Sequence, residues 1–206
     1  LLIQIMSFKT FKRKYLPHKT WNRWIWTLKG RPLPPPDDVK QGVVEKYARK
    51  HRLRILIETG TYEGEMVEAM QKRFRVIHSI EIFEPLYRKA LQKFSGIDHT
   101  HLHHGDSGNC LSEILDTVNE PALFWLDAHY SGEGTGRGNT DTPILKEIKY
   151  IFDHPVRGHV ILIDDARLFL GQNGYPSLNE LREFVGRNKP RSEFIVKDDI
   201  IRIHGA

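Results

Sequence analysis

The sequence has very little cysteine: Cys110 is the only one among 206 residues. A single cysteine excludes an intrachain disulfide and is typical of a reducing compartment, so we expect a cytoplasmic protein. Long apolar runs are also missing, since the longest are Ala122–Leu126 and Val160–Ile163. A membrane-spanning helix needs about 20 consecutive apolar residues, so the sequence predicts no such helix.

Acidic residues are missing from the start of the chain. Residues 1–31 contain eight Lys and Arg but no Asp or Glu, whereas the whole chain has 31 basic and 26 acidic residues. The net charge of +5 therefore belongs to this N-terminal arm, and the rest of the chain carries a small excess of acids. This distribution argues against a nucleic-acid-binding surface spread over the whole protein.

A proline-rich spacer, Arg31–Pro36, ends the arm and is typical of stiff, extended chain. We therefore predict a basic, aromatic arm with its spacer over residues 1–36 and one globular domain over residues 37–206. Aromatic and basic side chains together suit several partners: the domain itself, a second copy of the chain in a homo-oligomer, an anionic membrane surface or, less favourably, nucleic acid. Three of the four tryptophans lie in the arm: Trp21, Trp24 and Trp26.

Short apolar segments alternate with helical patterns from residue 39 onward. Strands are predicted at 54–58, 75–81, 100–104, 122–127 and 159–164. Helices are predicted at 39–50, 64–73, 85–94, 111–118, 143–152 and 177–185. This alternation predicts an α/β fold whose mostly parallel sheet is covered by helices on both faces. Two last strands, 193–197 and 200–204, indicate an antiparallel hairpin at one edge.

The residues after each strand form the candidate site, because ligands of open parallel sheets bind at the carboxyl ends of the strands. Glu58 ends the first strand and precedes a turn through Gly60 and Gly64. This turn lacks the G-x-G-x-x-G pattern of dinucleotide-binding proteins, and the acid favours a ligand with a cationic end. Glu81 ends the second strand, where a carboxylate typically binds a ribose diol. The structural alternatives are a turn that simply needs glycine and a surface acid.

Two further strand ends carry candidate residues. Asp106 and Ser107 follow the third strand, where they would meet an adenine edge, cap the next helix, or do both. His129 follows the fourth strand and would act either as a general base for a hydroxyl group or as a surface or helix-capping histidine.

Three carboxylates are expected to meet beyond the fourth and fifth strands, at Asp127, Asp164 and Asp165. Close carboxylates repel one another unless a cation lies between them, and grouped carboxylate oxygens are typical ligands of Mg²⁺. The alternative is that Asp165 turns away to pair with a cation such as Arg167, which leaves Asp127 to the ligand.

Together these motifs resemble those of class I S-adenosylmethionine-dependent methyltransferases, over roughly residues 40–204. The resemblance implies a Rossmann-like sheet and places the acidic, glycine-rich motif I of that family at Glu58–Gly64. Glu81 would then bind the ribose, with Tyr62 standing where the family has a glycine. The cofactor-binding residues that the resemblance implies are Glu58, Gly60, Thr61, Tyr62, Gly64, Glu81, Asp106, Ser107 and Asp127.

A narrower resemblance is to a group of mostly uncharacterised bacterial methyltransferase-like proteins, through Glu-Thr-Gly-Thr-Tyr, Gly-Asp-Ser-Gly, Trp-Leu-Asp-x-His-Tyr-Ser-Gly, Thr-Pro-Ile and Ile-Asp-Asp-Ala-Arg. A more distant one is to metal-dependent O-methyltransferases that act on sugars of macrolide and aminocoumarin antibiotics. Those enzymes place acids after strands four and five around a divalent cation, and Asp127, Asp164 and Asp165 are the matching positions.

The resemblance implies methyl transfer from S-adenosylmethionine to a hydroxyl group of a small molecule or glycan, assisted by Mg²⁺. Asp127 or His129 would then take the proton. A non-catalytic nucleoside-binding module is one alternative. An RNA methyltransferase that uses the basic arm is another, although the fourth strand is followed by Asp-Ala-His-Tyr and not by the (Asn/Asp)-Pro-Pro-Tyr of amino-group methylation.

Overall fold

The fold comes from a computed structural model, which describes residues 18–127 and 142–205. The described helices are α1 His18–Leu28, α2 Asp37–Lys50, α3 Glu65–Met70, α4 Glu84–Lys93, α5 Ser107–Leu115, α6 Ile144–Asp153 and α7 Leu178–Asn188, with a 3₁₀ helix at Ala166–Leu168. The strands are β1 Ile55–Thr59, β2 Val76–Glu81, β3 Thr100–His104, β4 Ala122–Leu126, β5 Val160–Ile163, β6 Glu193–Lys197 and β7 Ile200–His204.

The strands form one seven-stranded sheet in the order β3-β2-β1-β4-β5-β7-β6. Strands β1 to β5 are parallel, and β7 runs antiparallel to both β5 and β6. The structure therefore confirms the predicted Rossmann-like α/β class, including the C-terminal hairpin. The strand order reverses between β1 and β4, and ligands of such sheets bind at that point.

The sheet is apolar on both faces because its central strands are buried on both sides. Every residue of β1 and β4 is buried, and alternate side chains such as Leu56 and Ile57 enter opposite clusters. Helices α2, α3 and α4 cover one face, while α5, α6 and α7 cover the other. Each large aliphatic side chain buried in this way contributes about 1.5–3 kcal/mol.

Two elements were not predicted, α1 and the 3₁₀ helix, and α5 begins four residues earlier than expected. Asp106 explains the early start of α5, because its carboxylate accepts a hydrogen bond of 2.8 Å from the Gly108 backbone N–H. An N-cap of this kind stabilises a helix by about 1 kcal/mol.

The end of the N-terminal arm packs on the domain. Trp26 of α1 is buried, and its indole N–H donates to the Pro32 carbonyl at 2.8 Å. Arg31 pairs with Asp198 of the terminal hairpin at 3.4 Å. The division of the chain at residue 36 stays a prediction. Among the described residues, none of the helices has the length and apolar character needed to cross a bilayer.

Candidate functional site

The carboxyl ends of the five parallel strands meet at one edge of the sheet, which we call the site edge. Backbone hydrogen bonds continue past the paired residues and keep the segments that follow the strands side by side. These bonds run from the N–H of Gly60 to Ile80 O at 2.9 Å, of Gly105 to Glu81 O at 2.9 Å, of Asp127 to Thr59 O at 3.0 Å and of Asp164 to Leu126 O at 3.0 Å. The predicted site residues that the structure describes therefore lie along one edge.

Glu58 is buried within the sheet, with only 2% of its surface exposed. The Ser79 hydroxyl on β2 donates to its carboxylate at 2.5 Å, and Thr61 Oγ1 lies 2.6 Å from Ser79 Oγ. Because a hydroxyl has one hydrogen, Thr61 donates to Ser79 when Ser79 donates to Glu58. Burial raises the pKa of Glu58 to about 8, with further increases from Asp127 and Glu81, against the opposite effect of Ser79. Glu58 is thus poised to gain or lose a proton near neutral pH.

Glu81 joins the motif I turn to the segment after β2 through its two carboxylate oxygens. One accepts from the Tyr62 backbone N–H at 2.9 Å, and the other accepts from the Phe83 N–H at 2.8 Å. Tyr62 has a φ of +49° and an exposed ring, so its backbone makes the contact while its side chain faces outward. These bonds fix the orientation of the carboxylate that the resemblance assigns to the ribose.

Glycine is needed at position 64 for a local structural reason that is independent of any ligand. Its φ is +73°, and a Cβ there would lie 2.7 Å from the Phe94 ring. Gly60 has a φ of +88°, a backbone conformation that glycine adopts without strain. The described contacts therefore require glycine for the turn, and the role of both residues in cofactor binding stays a prediction.

Asp106 caps α5, which was one of the two roles predicted for it from the sequence. Ser107 is buried in the first turn of that helix. Beside Ser107 lies the buried Glu147 of α6. Burial raises the pKa of Glu147 to about 7, opposed by the hydroxyls of Ser107 and Thr59. No sequence pattern distinguishes Glu147 from an ordinary helix residue, so it was not predicted as part of the site.

A lysine from α2 lies among the carboxylates of the fourth and fifth strands. Lys40 Nζ is 2.5 Å from Asp164 Oδ2 and 3.9 Å from Asp165 Oδ1. The second oxygen of Asp164 accepts from the Asp165 backbone N–H at 2.9 Å. Burial lowers the pKa of Lys40, but the charges of Asp164, Asp127 and Asp165 together raise it more, so Lys40 is a cation.

Asp165 is held by a second cation. Arg167 Nη1 is 2.6 Å from Asp165 Oδ1 and also pairs with Asp199, whose other oxygen accepts from the Arg167 backbone N–H at 2.9 Å. Asp165 has a φ of +56°, which is uncommon for a residue other than glycine. This arrangement is the alternative interpretation of the sequence, in which Asp165 pairs with Arg167.

The predicted Mg²⁺ site is not supported by these contacts. Asp164 and Asp165 are occupied by Lys40 and Arg167, and an ammonium beside a carboxylate repels a divalent cation. Within residues 18–127 and 142–205, no group of three or more His, Cys, Asp or Glu has a metal-binding arrangement. Lys40 and Arg167 offset part of the charge of these carboxylates, so their grouping does not by itself require a metal.

Tyr175 adds an aromatic hydroxyl to the same region. Its ring packs edge-on against Phe169, with ring centroids 5.2 Å apart. Burial, followed by the charges of Asp165 and Asp127, raises its pKa, so the phenol stays protonated. Tyr175, like Lys40 and Ser79, was missed by sequence reasoning because its approach to the site depends on tertiary structure. His129 lies outside the described residues, and its role as a base stays a prediction.

Three solved methyltransferase structures resemble this chain. The SAH-bound methyltransferase PaMTH1 of Podospora anserina has a TM-score of 0.57 at 19% identity, covering 98% of this chain and 95% of its own. An O-methyltransferase from Bacillus cereus in complex with SAH has a TM-score of 0.62 at 13% identity, covering 96% of each chain. The O-methyltransferase TomG of Streptomyces achromogenes, in complex with SAM and involved in tomaymycin synthesis, has a TM-score of 0.57 at 15% identity, covering 96% and 94%.

The chain has the fold of class I S-adenosylmethionine-dependent methyltransferases. No protein-family model matches the sequence, and no curated protein matches it either. Since the identities are low, the similarity establishes the methyltransferase fold, and the chemistry has to be argued from the site edge itself.

Proposed function

We propose that this protein is an S-adenosylmethionine-dependent methyltransferase that methylates a hydroxyl oxygen of a small molecule or glycan. The observation that carries the proposal is Glu81, one oxygen of which accepts a hydrogen bond from the motif I turn at Tyr62, beside the buried Glu58. In a methyltransferase fold, this arrangement sets two carboxylates at the position where the sheet binds its ligand. The sequence motifs and the fold both resemble those of S-adenosylmethionine-dependent methyltransferases, and both therefore favour S-adenosylmethionine as the cofactor.

The residues of the site edge fit S-adenosylmethionine. Glu81 would hold the ribose diol, Glu58 would face the cationic methionine end, and Asp106 and Ser107 would lie on the adenine side. When bound, S-adenosylmethionine supplies a methyl group that is already activated by its sulfonium. The protein then has to exclude water, orient the acceptor and remove one proton. Asp127, which follows β4, and His129 are the proposed bases.

Transfer to oxygen is favoured over transfer to an amino group by the residues after β4. Asp127 lies beside Lys40 and Asp164, a charged setting that suits the binding of hydroxyl groups. The O-methyltransferase neighbours from Bacillus cereus and Streptomyces achromogenes support the same choice. We derive no step through Mg²⁺, because Lys40 and Arg167 occupy its expected ligands.

Isothermal titration of the full chain with S-adenosylmethionine and S-adenosylhomocysteine tests the cofactor. We expect a dissociation constant of about 1–100 μM for each, or about −5 to −8 kcal/mol. Absence of binding at millimolar ligand rejects the assignment. Labelled methyl transfer to panels of glycans, small alcohols and RNA then tests the acceptor. Binding without transfer to any panel favours the non-catalytic module, and transfer to RNA alone favours the nucleic-acid alternative.

The arm remains a proposed contact with anionic membrane surfaces. Trp24 and Leu28 of α1 are both exposed, whereas Trp26 is buried. Cosedimentation of the full chain with anionic vesicles, compared with Trp24→Ala and with neutral vesicles, tests this proposal. We expect several-fold weaker binding for the variant, since an exposed tryptophan suits the headgroup layer. Equal sedimentation in all cases contradicts it and leaves packing on the domain or on a second copy.

A further inference from the structure

We infer that the ammonium of Lys40 takes the position of a divalent metal among Asp127, Asp164 and Asp165, on the side of the site edge where the methyl acceptor would bind. We call it the resident cation. Its ammonium lies 2.5 Å from Asp164 and 3.9 Å from Asp165. The side chain of Lys40 is 16% exposed and that of Asp164 is 1% exposed, so the pair is largely shielded from water. The interaction is therefore screened little by salt.

The position of Lys40 is set by the helix that carries it. Val39 and Val44 of α2 are both buried, Val44 in a cluster with side chains of the sheet, and Lys40 follows Val39 directly. A side chain in the first turn of a packed helix has little freedom to leave, because the helix is fixed by its apolar neighbours. Lys40 thus reaches a carboxylate that lies 124 residues further along the chain.

Cations of the chain itself lie beside the carboxylates that a metal would have to bind. Arg167 pairs with both Asp165 and Asp199, and Lys40 pairs with Asp164 next to Asp127, so these two cations offset part of the charge of the four carboxylates. A divalent ion would have to displace the ammonium of Lys40 or accept its repulsion at short distance. Both are unfavourable, so we expect weak or no binding of Mg²⁺ to the native protein.

Lys40 can also serve the acceptor, a step that rests on the proposed function. An ammonium has three N–H donors, and the bond to Asp164 uses one of them. A positive charge near the acceptor oxygen stabilises the negative charge that develops as its proton leaves. Lys40 would thereby supply the electrostatic contribution that a metal supplies in the metal-dependent O-methyltransferases.

Manganese titration of the full chain, without cofactor or acceptor, tests the inference through the paramagnetic resonance of free Mn²⁺. The proteins are the wild type, Lys40→Met, Lys40→Arg and a control, Lys46→Met, which changes an exposed lysine of the same helix. We expect little binding at about 1 mM Mn²⁺ for the wild type, Lys40→Arg and Lys46→Met, and at least tenfold tighter binding for Lys40→Met. Adding Asp164→Asn to Lys40→Met should remove the gained binding.

Two results overturn the inference: Mn²⁺ binding by the wild type that Asp164→Asn abolishes, or no gain of binding in a folded Lys40→Met. Should Lys40→Met fail to fold, the wild type and Lys40→Arg still test the inference. Tight Mn²⁺ binding by both proteins contradicts it, and the absence of Mn²⁺ binding from both proteins supports it.

Titration with S-adenosylhomocysteine separates this inference from the proposed function. Failure of cofactor binding rejects the methyltransferase proposal and leaves the manganese result unaffected. Where transfer activity is found, we expect it to resist EDTA in the wild type. Lys40→Met should lose about a hundredfold in kcat and regain part of it with Mg²⁺, whereas a merely structural role of Lys40 would give no such rescue.

Discussion

The carboxylates in the two halves of the site edge have different kinds of partner. On the side of β1, β2 and β3, the acids accept hydrogen bonds from neutral groups. On the side of β4 and β5, the acids pair with cations. The neutral donors are the Ser79 hydroxyl and the backbone N–H groups of Tyr62, Phe83 and Gly108, and the cations are Lys40 and Arg167.

This difference indicates what each half can bind. Neutral donors orient a carboxylate without cancelling its charge, so the first half attracts a cationic ligand such as a sulfonium when its carboxylates are ionised, which for Glu58 means above about pH 8. Lys40 and Arg167 offset part of the charge in the second half, which suits an acceptor without a positive charge. The comparison predicts that removing an acid should reduce ligand binding in the first half and stability in the second.

The largest expected effect is on cofactor affinity in Glu81→Ala. A carboxylate that accepts two hydrogen bonds from a ribose contributes about 3–6 kcal/mol, so we expect about a thousandfold loss. Isothermal titration with S-adenosylhomocysteine measures it. Glu84→Ala, which removes an exposed acid paired with Arg88, is the control and should bind as the wild type does. A loss below tenfold in folded Glu81→Ala contradicts the ribose assignment.

Asp164→Ala should mainly destabilise the protein, because it leaves Lys40 without its closest partner. Breaking a buried ion pair from one side costs about 3 kcal/mol. Urea denaturation compares it with Asp153→Ala, whose exposed pair with Lys149 contributes at most about 1 kcal/mol. The double variant Lys40→Met/Asp164→Leu should recover most of the loss. Equal stability of both single variants would show that the Lys40 pair is no stronger than an exposed one.

Glu58 should make cofactor binding depend on pH. Its pKa is raised to about 8, so the carboxylate is protonated below that pH and attracts a sulfonium only above it. We expect the affinity of the wild type for S-adenosylmethionine, relative to Glu58→Gln, to rise about tenfold between about pH 6 and 9. Titration of both proteins across this range measures the ratio, and a ratio independent of pH argues against contact between Glu58 and the sulfonium.

The same shift fixes the sign of the change in stability. Between the ordinary Glu pKa of 4.5 and about 8, folded Glu58 keeps a proton that the unfolded chain has lost. The unfolding free energy of the wild type, relative to Glu58→Gln, should therefore fall as pH rises through this window. Urea denaturation without ligand checks it. Glu147, which has a raised pKa in both proteins, cancels in the comparison.

Much of the fold could be predicted from local patterns. Strand β3 and both hairpin strands have the predicted bounds, because each is a short segment with turn residues on both sides. The strand ends of β1, β2, β4 and β5 lie within one residue of the predicted ones, since each apolar run stops at or next to an acid. Those acids line one edge because the strands are parallel, so their grouping followed from the fold class.

The partners of the acids could not be predicted in the same way. Lys40 and Asp164 are far apart in sequence, and the helical pattern around Lys40 is that of any solvent-facing lysine. The grouped carboxylates therefore suggested a metal, although the cation that pairs with Asp164 is a lysine from a distant part of the sequence. Asp165 and Arg167 are two residues apart, and that pairing was one of the alternatives the sequence left open.

The smallest expected effect separates two roles of Asp106, which caps α5 and is predicted to lie near adenine. Asp106→Ala removes the acceptor for the Gly108 N–H and should cost about 1 kcal/mol in urea denaturation. Asp106→Asn keeps an acceptor oxygen and should retain nearly all of the stability, because asparagine caps helices as well as aspartate does. If Asp106 also accepts a hydrogen bond from adenine, Asp106→Ala should weaken the binding of S-adenosylhomocysteine to the folded protein by about fivefold. Unchanged affinity in both variants would leave Asp106 with its structural role alone, and would restrict the acids of the first half that contact the cofactor to Glu58 and Glu81.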